Sequence, residues 1–295
     1  MMRIATRLLA LFALTLVAAC GQDSKPVAKV EGGPALWQVQ RGELNGWLFG
    51  TIHVLPKGVA WDTPAIKEAM GASDRLILEA ADLQDEQKTL GLFEKMGRSP
   101  GLPPLEKRVP DGEKAALSKA MADGGTNSQL LSGYESWAAA MLLSAASQQG
   151  LGVSESDGVE PVLIETYKKA KKPIGGLETV ERQFAAFDTL PESAQSALLV
   201  QTVHEAKGMK ALYDRILTAW SKGDMEAIAK EDKVGEQPDP MVEEAILVAR
   251  NRDWVKAIEP MKGRPFIAVG AGHLTGRENL IELLKAQGYT ITRVQ

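Results

Sequence analysis

The chain has 295 residues, with 34 basic side chains against 38 acidic ones and a formal charge of −4. A mildly acidic chain has no general electrostatic attraction for nucleic acid or anionic lipid headgroups, so nucleic-acid binding is set aside. Hydrophobic residues make up 44% and aromatic ones only 5%, so one large domain can be packed, chiefly with Leu, Ala, Val and Ile.

The N-terminus reads as a targeting segment. Arg3 and Arg7 precede the apolar run Leu8–Val17, which is too short to span a bilayer as a helix and suits a signal peptide. The run ends Val17-Ala18-Ala19-Cys20, small residues before the chain's only cysteine. This resembles a bacterial lipobox, in which the Cys is lipidated and becomes the first mature residue; the alternative is an ordinary secretory signal with an Ala-x-Ala-like site. With Cys20 so used, no intrachain disulfide remains and the core must hold the fold. Gly21 is not the Asp that sorting rules associate with inner-membrane retention, which favours the outer membrane. Residues 1–19 are thus predicted as signal peptide and 20–34 as lipidated Cys and polar tether. Residues 35–295 are predicted as one domain, of which about 85–260 is a mostly helical insertion. The expected location is the bacterial cell envelope, anchored by lipid on the periplasmic face.

Leu36–Gln40 and Trp47–Thr51 read as strands joined through Asn45-Gly46, a turn signal. Thr63-Pro64 opens a helix to Met70, with Thr as cap and Pro at the first helical position. Arg75–Leu78 reads as a buried strand ending on Glu79. The far end repeats the plan, with strand Phe266–Val269, helix Glu278–Ala286, a stop at Gly288 and strand Tyr289–Val294. Both are βαβ units, which predicts parallel strands in each. The fold class expected is α/β, a mixed sheet from two βαβ-like halves with a large helical insertion. The inserted helices are placed at Asp85–Met96, Gly112–Ala122, Tyr134–Gln149, Val159–Ala170, Val180–Asp188, Glu192–Trp220, Met225–Lys230 and Pro240–Ile258. Lys171–Leu177 interrupts them as a candidate strand, and Gln237-Pro238-Asp239-Pro240 is a breaker.

Each half carries the same frame past its first strand: Gly50-Thr51-Ile52-His53 and Gly270-Ala271-Gly272-His273. Sites on open α/β sheets form beyond the carboxyl ends of the strands, which is where His53, His273 and Glu79 all fall. Two His and one Glu are a known catalytic metal set with a position left for water, and a bound water acidified to about pKa 7 suits hydrolysis of an amide or ester. Taken singly, each residue has a plainer reading, as a loop hydrogen-bonder or a solvated strand edge. His204, within the long helix beside Glu205 and Lys207, reads as structural or surface. No Gly-x-Ser-x-Gly, His-x-x-x-His, His-Glu-x-x-His or Walker A sequence is present. Val269-Gly270-Ala271-Gly272 lacks the third glycine of a dinucleotide loop, where Thr275 stands.

Leu48-Phe49-Gly50-Thr51-Ile52-His53-Val54, Leu76-Ile77-Leu78-Glu79 and Ala268 through Gly276 resemble the TraB/GumN family. So do Gly176-Leu177-Glu178-Thr179 with Gln183, and Arg250-Asn251 with Trp254. The resemblance runs from Leu36 to Val294. It implies kinship with TIKI metalloproteases and with erythromycin-esterase-like and ChaN-like folds. It also implies a catalytic and metal-binding set of His53, Glu79 and His273, using divalent manganese or cobalt, with zinc as a further candidate. Glu178, Arg250 and Asn251 match family blocks and are candidates for substrate binding. Arg250 would meet a substrate carboxylate or developing oxyanion, or else pair with Glu178. The function expected is a lipid-anchored, metal-dependent hydrolase, a peptidase in the first instance, acting on an unidentified peptide or small molecule. The alternatives are a metal-independent esterase-like hydrolase using a His base and Glu79, and a non-enzymatic haem- or metal-binding lipoprotein. The last would have only Tyr134, Tyr167, Tyr213, Tyr289 and the three histidines as axial ligands.

Overall fold

The computed structural model describes residues 32–231 and 239–295. The signal peptide, Cys20, the tether up to residue 31 and Gln237-Pro238 of the predicted breaker lie outside the described residues. Among the described residues eight strands are formed: β1 (Leu36–Arg41), β2 (Leu44–Thr51), β3 (Leu55–Pro56), β4 (Arg75–Ala80), β5 (Val153–Ser154), β6 (Ile174–Glu178), β7 (Pro265–Gly270) and β8 (Thr290–Arg293). The helices are α1 (Pro64–Ala72), α2 (Glu86–Met96), α3 (Lys114–Asp123), α4 (Ser128–Leu131), α5 (Ser136–Gln148) and α6 (Val159–Lys169). They continue with α7 (Val180–Asp188), α8 (Glu192–Ser221), α9 (Met225–Glu231), α10 (Pro240–Glu243), α11 (Ala249–Ile258) and α12 (Leu280–Ala286).

The main sheet is mixed and six-stranded, in the order β6-β4-β7-β2-β1-β8, with β6, β4, β7 and β2 mutually parallel. The strands β2 and β4 of the N-terminal unit run parallel but are not neighbours, because β7 lies between them. The C-terminal unit likewise carries the chain from β7 past β2 and β1 to the far edge at β8. The two halves therefore interleave. The helical insertion also gives the sheet its other edge, β6.

Alternation along the central strands explains the layers. On β7, Phe266 and Ala268 face one side, where they pack with Phe49, Trp61, Ile66, Tyr167 and Trp220 from β2, α1, α6, α8 and the loop before α1. Ile267 and Val269 face the other, against Trp254 and Ile258 of α11 and Leu280 and Leu284 of α12. Strands covered on both faces read as near-continuous apolar runs, which is what β7 and β2 are. A second core lies in the insertion, where Phe93, Leu117, Trp137, Phe184 and Leu199 join α2, α3, α5, α7 and the first half of α8.

Some ends differ from expectation. Strand β4 runs on through Glu79 to Ala80, because Ala80 still pairs with Glu178. The last helix starts at Leu280 rather than Glu278: Glu278 holds φ +46°, incompatible with a helix, and Asn279 Oδ1 accepts from Glu282 N–H as the cap. Pro240–Ile258 is broken by a π-helical turn at Glu244–Val248 between α10 and α11. No helix among the described residues is long and apolar enough to cross a membrane.

Candidate active site

The carboxyl ends of β2, β4, β6 and β7 form one rim, and in-register pairing sets Thr51 beside Gly270 and Ala80 beside Glu178. Glu79 projects from β4 into the centre of this rim. Its Oε1 accepts the Gly270 N–H at 2.7 Å, and its Oε2 accepts from Gln183 Nε2 at 3.1 Å and Arg250 Nη2 at 2.7 Å. Gly270 is the point of convergence. A Cβ there would sit 3.2 Å from Glu79 Oε1, 3.8 Å from His273 Cδ2 and 3.9 Å from His53 Nε2. Two histidines and a carboxylate from distant parts of the chain thus surround one glycine that leaves them room. Gly50 of the first frame does a different job: a Cβ there would press on Leu274 and Ala271, in the turn that carries His273.

Burial works to raise the Glu79 carboxyl, but the Arg250 guanidinium first, then the electrostatic pull of the His273 and His53 rings and the Gly270 N–H, outweigh it and hold it at about 2. The His273 ring is buried, which with Arg250 and His53 pushes it down to about 3 against the pull of Glu79. It is therefore neutral at ordinary pH. Its Nδ1 meets Asn251 Oδ1 at 2.7 Å, and Asn251 Nδ2 donates to the carbonyl of Glu278 at 3.1 Å. The proton accordingly sits on Nδ1, and Nε2 carries the lone pair that Arg250 Nη1 approaches at 3.2 Å. The indole of Trp254 packs against the His273 ring, with centroids 4.2 Å apart and planes tilted by 40°.

Arg250 comes from α11 and is buried. Nε and Nη2 donate to Glu178 Oε1 at 2.8 and 2.6 Å, Nη2 also reaches Glu79, and Nη1 meets both the Ile246 carbonyl at 3.0 Å and His273. Those bonds use all five guanidinium N–H groups. The ion pair with Glu178 that was one expectation for Arg250 is present and extends to Glu79. Asn251 orients His273, and Glu178 holds Arg250, so this trio supports the cluster from behind.

His53 stands two residues beyond β2, with its side chain 53% exposed. Its Nδ1 lies 2.9 Å from Glu160 Oε1, which also accepts from Thr51 Oγ1 at 2.5 Å. Burial works to raise the Glu160 carboxyl, but His53 and the two hydrogen bonds keep it below the ordinary range. Sequence reasoning missed Glu160. The available signal was Thr51 and His53 at i and i+2, a spacing that aims two side chains the same way along an extended chain. His204 pairs with Glu113 at 2.7 Å on the surface, away from the rim.

A profile of the TraB/PrgY/gumN family matches residues 35–293. The chain belongs to that family. Similar proteins include the uncharacterized protein YbaP of Shigella flexneri, 26% identical over 255 residues, covering 85% of this chain and 92% of that one. The uncharacterized protein YbaP of Escherichia coli (strain K12) is 26% identical over 267 residues, covering 85% and 97%. No solved structure matches.

For this TraB/PrgY/gumN chain, the fit of a metal rests on the donors present. Both imidazoles are held at Nδ1 by an acceptor and turn Nε2 inward, the orientation that ligating histidines adopt. Two carboxylates, of Glu79 and Glu178, share the Arg250 guanidinium, and a third, of Glu160, meets His53, a balance that suits a cation. As they stand, however, no three His, Cys, Asp or Glu groups among the described residues are close enough to share an ion. The donor types present fit a divalent cation.

Proposed function

We propose that this chain is a lipid-anchored, periplasm-facing hydrolase, a peptidase in the first instance, whose divalent cation would be held by His53, Glu79 and His273. The observation that carries the reading is the convergence of those three side chains on Gly270. When bound, the cation would supply an acidified water and polarise a carbonyl. The chain's own contribution is electrostatic preparation. Burial and Arg250 keep His273 neutral, so its Nε2 can donate a lone pair. Arg250, Gln183 and Gly270 keep Glu79 ionised, with Oε1 turned towards both imidazoles, where it can ligate or accept a proton from water.

One observation favours a second reading. Arg250 Nη1 stands 3.2 Å from His273 Nε2 and already uses its lone pair. In a metal-independent hydrolase, His53 backed by Glu160 would be the general base, and Arg250 would hold Glu79 and His273 in place.

The deciding experiment is a titration of purified, chelator-stripped protein with Mn²⁺, Co²⁺ and Zn²⁺, paired with a screen of peptide and ester substrates. The first reading expects one equivalent bound, abolished by His53→Ala and by His273→Ala, and hydrolysis that chelation stops. Hydrolysis that survives chelation but not His53→Ala selects the second. Metal content unchanged in both His variants overturns the first.

A further inference from the structure

His53 is half exposed, so packing cannot fix its ring. A carboxylate from the helical insertion meets its Nδ1. Glu160 lies in the first turn of α6, near the positive end of an eleven-residue helix. Its Oε1 meets both polar side chains of the first frame, Thr51 at 2.5 Å and His53 Nδ1 at 2.9 Å. The backbone repeats the tie, with Val159 N–H donating to the Ile52 carbonyl at 3.4 Å. Three consecutive residues, Thr51, Ile52 and His53, are thus docked onto the start of one helix. The Glu160 side chain is 21% exposed and Thr51 is buried, so the anchor is firmer than the residue it holds.

We propose that Glu160 is a positioning residue: it accepts the Nδ1 proton of His53, fixes that tautomer and turns Nε2 towards Glu79 and Gly270. Thr51 serves as the brace that holds the carboxylate in line. The two histidines are then treated alike but by different partners, His53 by a charged carboxylate and His273 by the neutral amide of Asn251. The inference deepens the proposed function and rests on it only for its metal arm.

The experiment compares wild type, Glu160→Gln and Glu160→Ala as metal-free full-length proteins. Nitrogen-15 NMR of the His53 ring at alkaline pH reads the tautomer directly, and a Mn²⁺ titration reads ligation. Circular dichroism checks that each variant is folded. Wild type should show His53 protonated on Nδ1. Glu160→Ala should give mixed tautomers and Mn²⁺ binding weakened about 10- to 100-fold, with Glu160→Gln between them. An unchanged Nδ1-protonated tautomer in folded Glu160→Ala overturns the inference, as does wild-type His53 protonated on Nε2. If wild type takes up no Mn²⁺, Co²⁺ or Zn²⁺, the metal reading fails while the tautomer comparison still decides the role of Glu160. Should Glu160→Ala not fold, Glu160→Gln decides alone: retention of the wild-type tautomer populations in that variant counts against a charged anchor.

Discussion

Arg250 Nη2 bridges Glu79 Oε2 at 2.7 Å and Glu178 Oε1 at 2.6 Å, joining the ends of β4 and β6 through one buried guanidinium. Each of these three side chains is at most 12% exposed. Removing the cation leaves buried carboxylates without their partner. Arg250→Ala should therefore lower the unfolding free energy by about 3–5 kcal/mol. Urea denaturation measures it, and a loss below about 1 kcal/mol would show that water compensates the pair.

Acid should weaken the fold through the same cluster. His273 is lowered from 6.5 to about 3, so the unfolded chain binds its proton first, and stability is lost as pH falls below 6.5. Glu79 is lowered from 4.5 to about 2, so its contribution is present above 4.5 and is lost as pH falls towards 2. Both act in one direction. The metal-free protein should lose up to about 1.4 kcal/mol per pH unit from His273 alone between pH 6 and 4. His273→Asn should flatten that slope, and identical slopes in the two proteins would contradict the assignment.

The glycines of the second frame should differ sharply. Gly270→Ala puts a Cβ 3.2 Å from a carboxylate that three donors hold in place. It should cost about 1–3 kcal/mol and abolish any metal uptake. Gly272 has nothing within 4 Å of an added Cβ. Gly272→Ala should change stability by no more than about 0.5 kcal/mol and leave uptake intact. Equal behaviour of the two variants would remove Gly270 from the centre of the site.

Thr51→Val keeps volume but deletes the donor to Glu160. A cost of about 1 kcal/mol is expected, together with faster exchange of the His53 ring environment by NMR. A His53 spectrum indistinguishable from wild type would remove Thr51 from the anchor.

The proposed lipid anchor can be tested in cells. Cys20→Ala should move the protein from the membrane pellet to the soluble fraction or leave it unprocessed. A variant that fractionates like wild type would argue for an ordinary signal peptide.

Much of the frame was readable from the residues. His53, Glu79 and His273 could be assigned to the carboxyl ends of strands because apolar runs followed by glycine, and caps such as Thr63-Pro64, are local signals. Helix positions followed from 3.6-residue spacing to within a few residues, except where Glu278 takes a positive φ and where the π turn at Glu244–Val248 interrupts the period. The repeated βαβ plan was also visible, since each unit is contiguous.

What the chain by itself determined is the set of groups at the rim: two histidines and one carboxylate, each at the end of its own strand, with helices enough to cover a sheet. Only the tertiary structure decided how those groups meet. Strand order is a long-range choice, made when Phe266 and Ile267 pack on opposite faces of one sheet, and it slides β7 between β2 and β4 so that Gly270 lies beside Glu79. Thr51 and Glu160 are 109 residues apart, and no local pattern joins them. Their contact exists because α6 packs against β4 and β6 and carries its first turn to the rim. The charge state of the cluster is decided there too, since a carboxylate beside a buried guanidinium and an imidazole out of water take values that neither residue has alone.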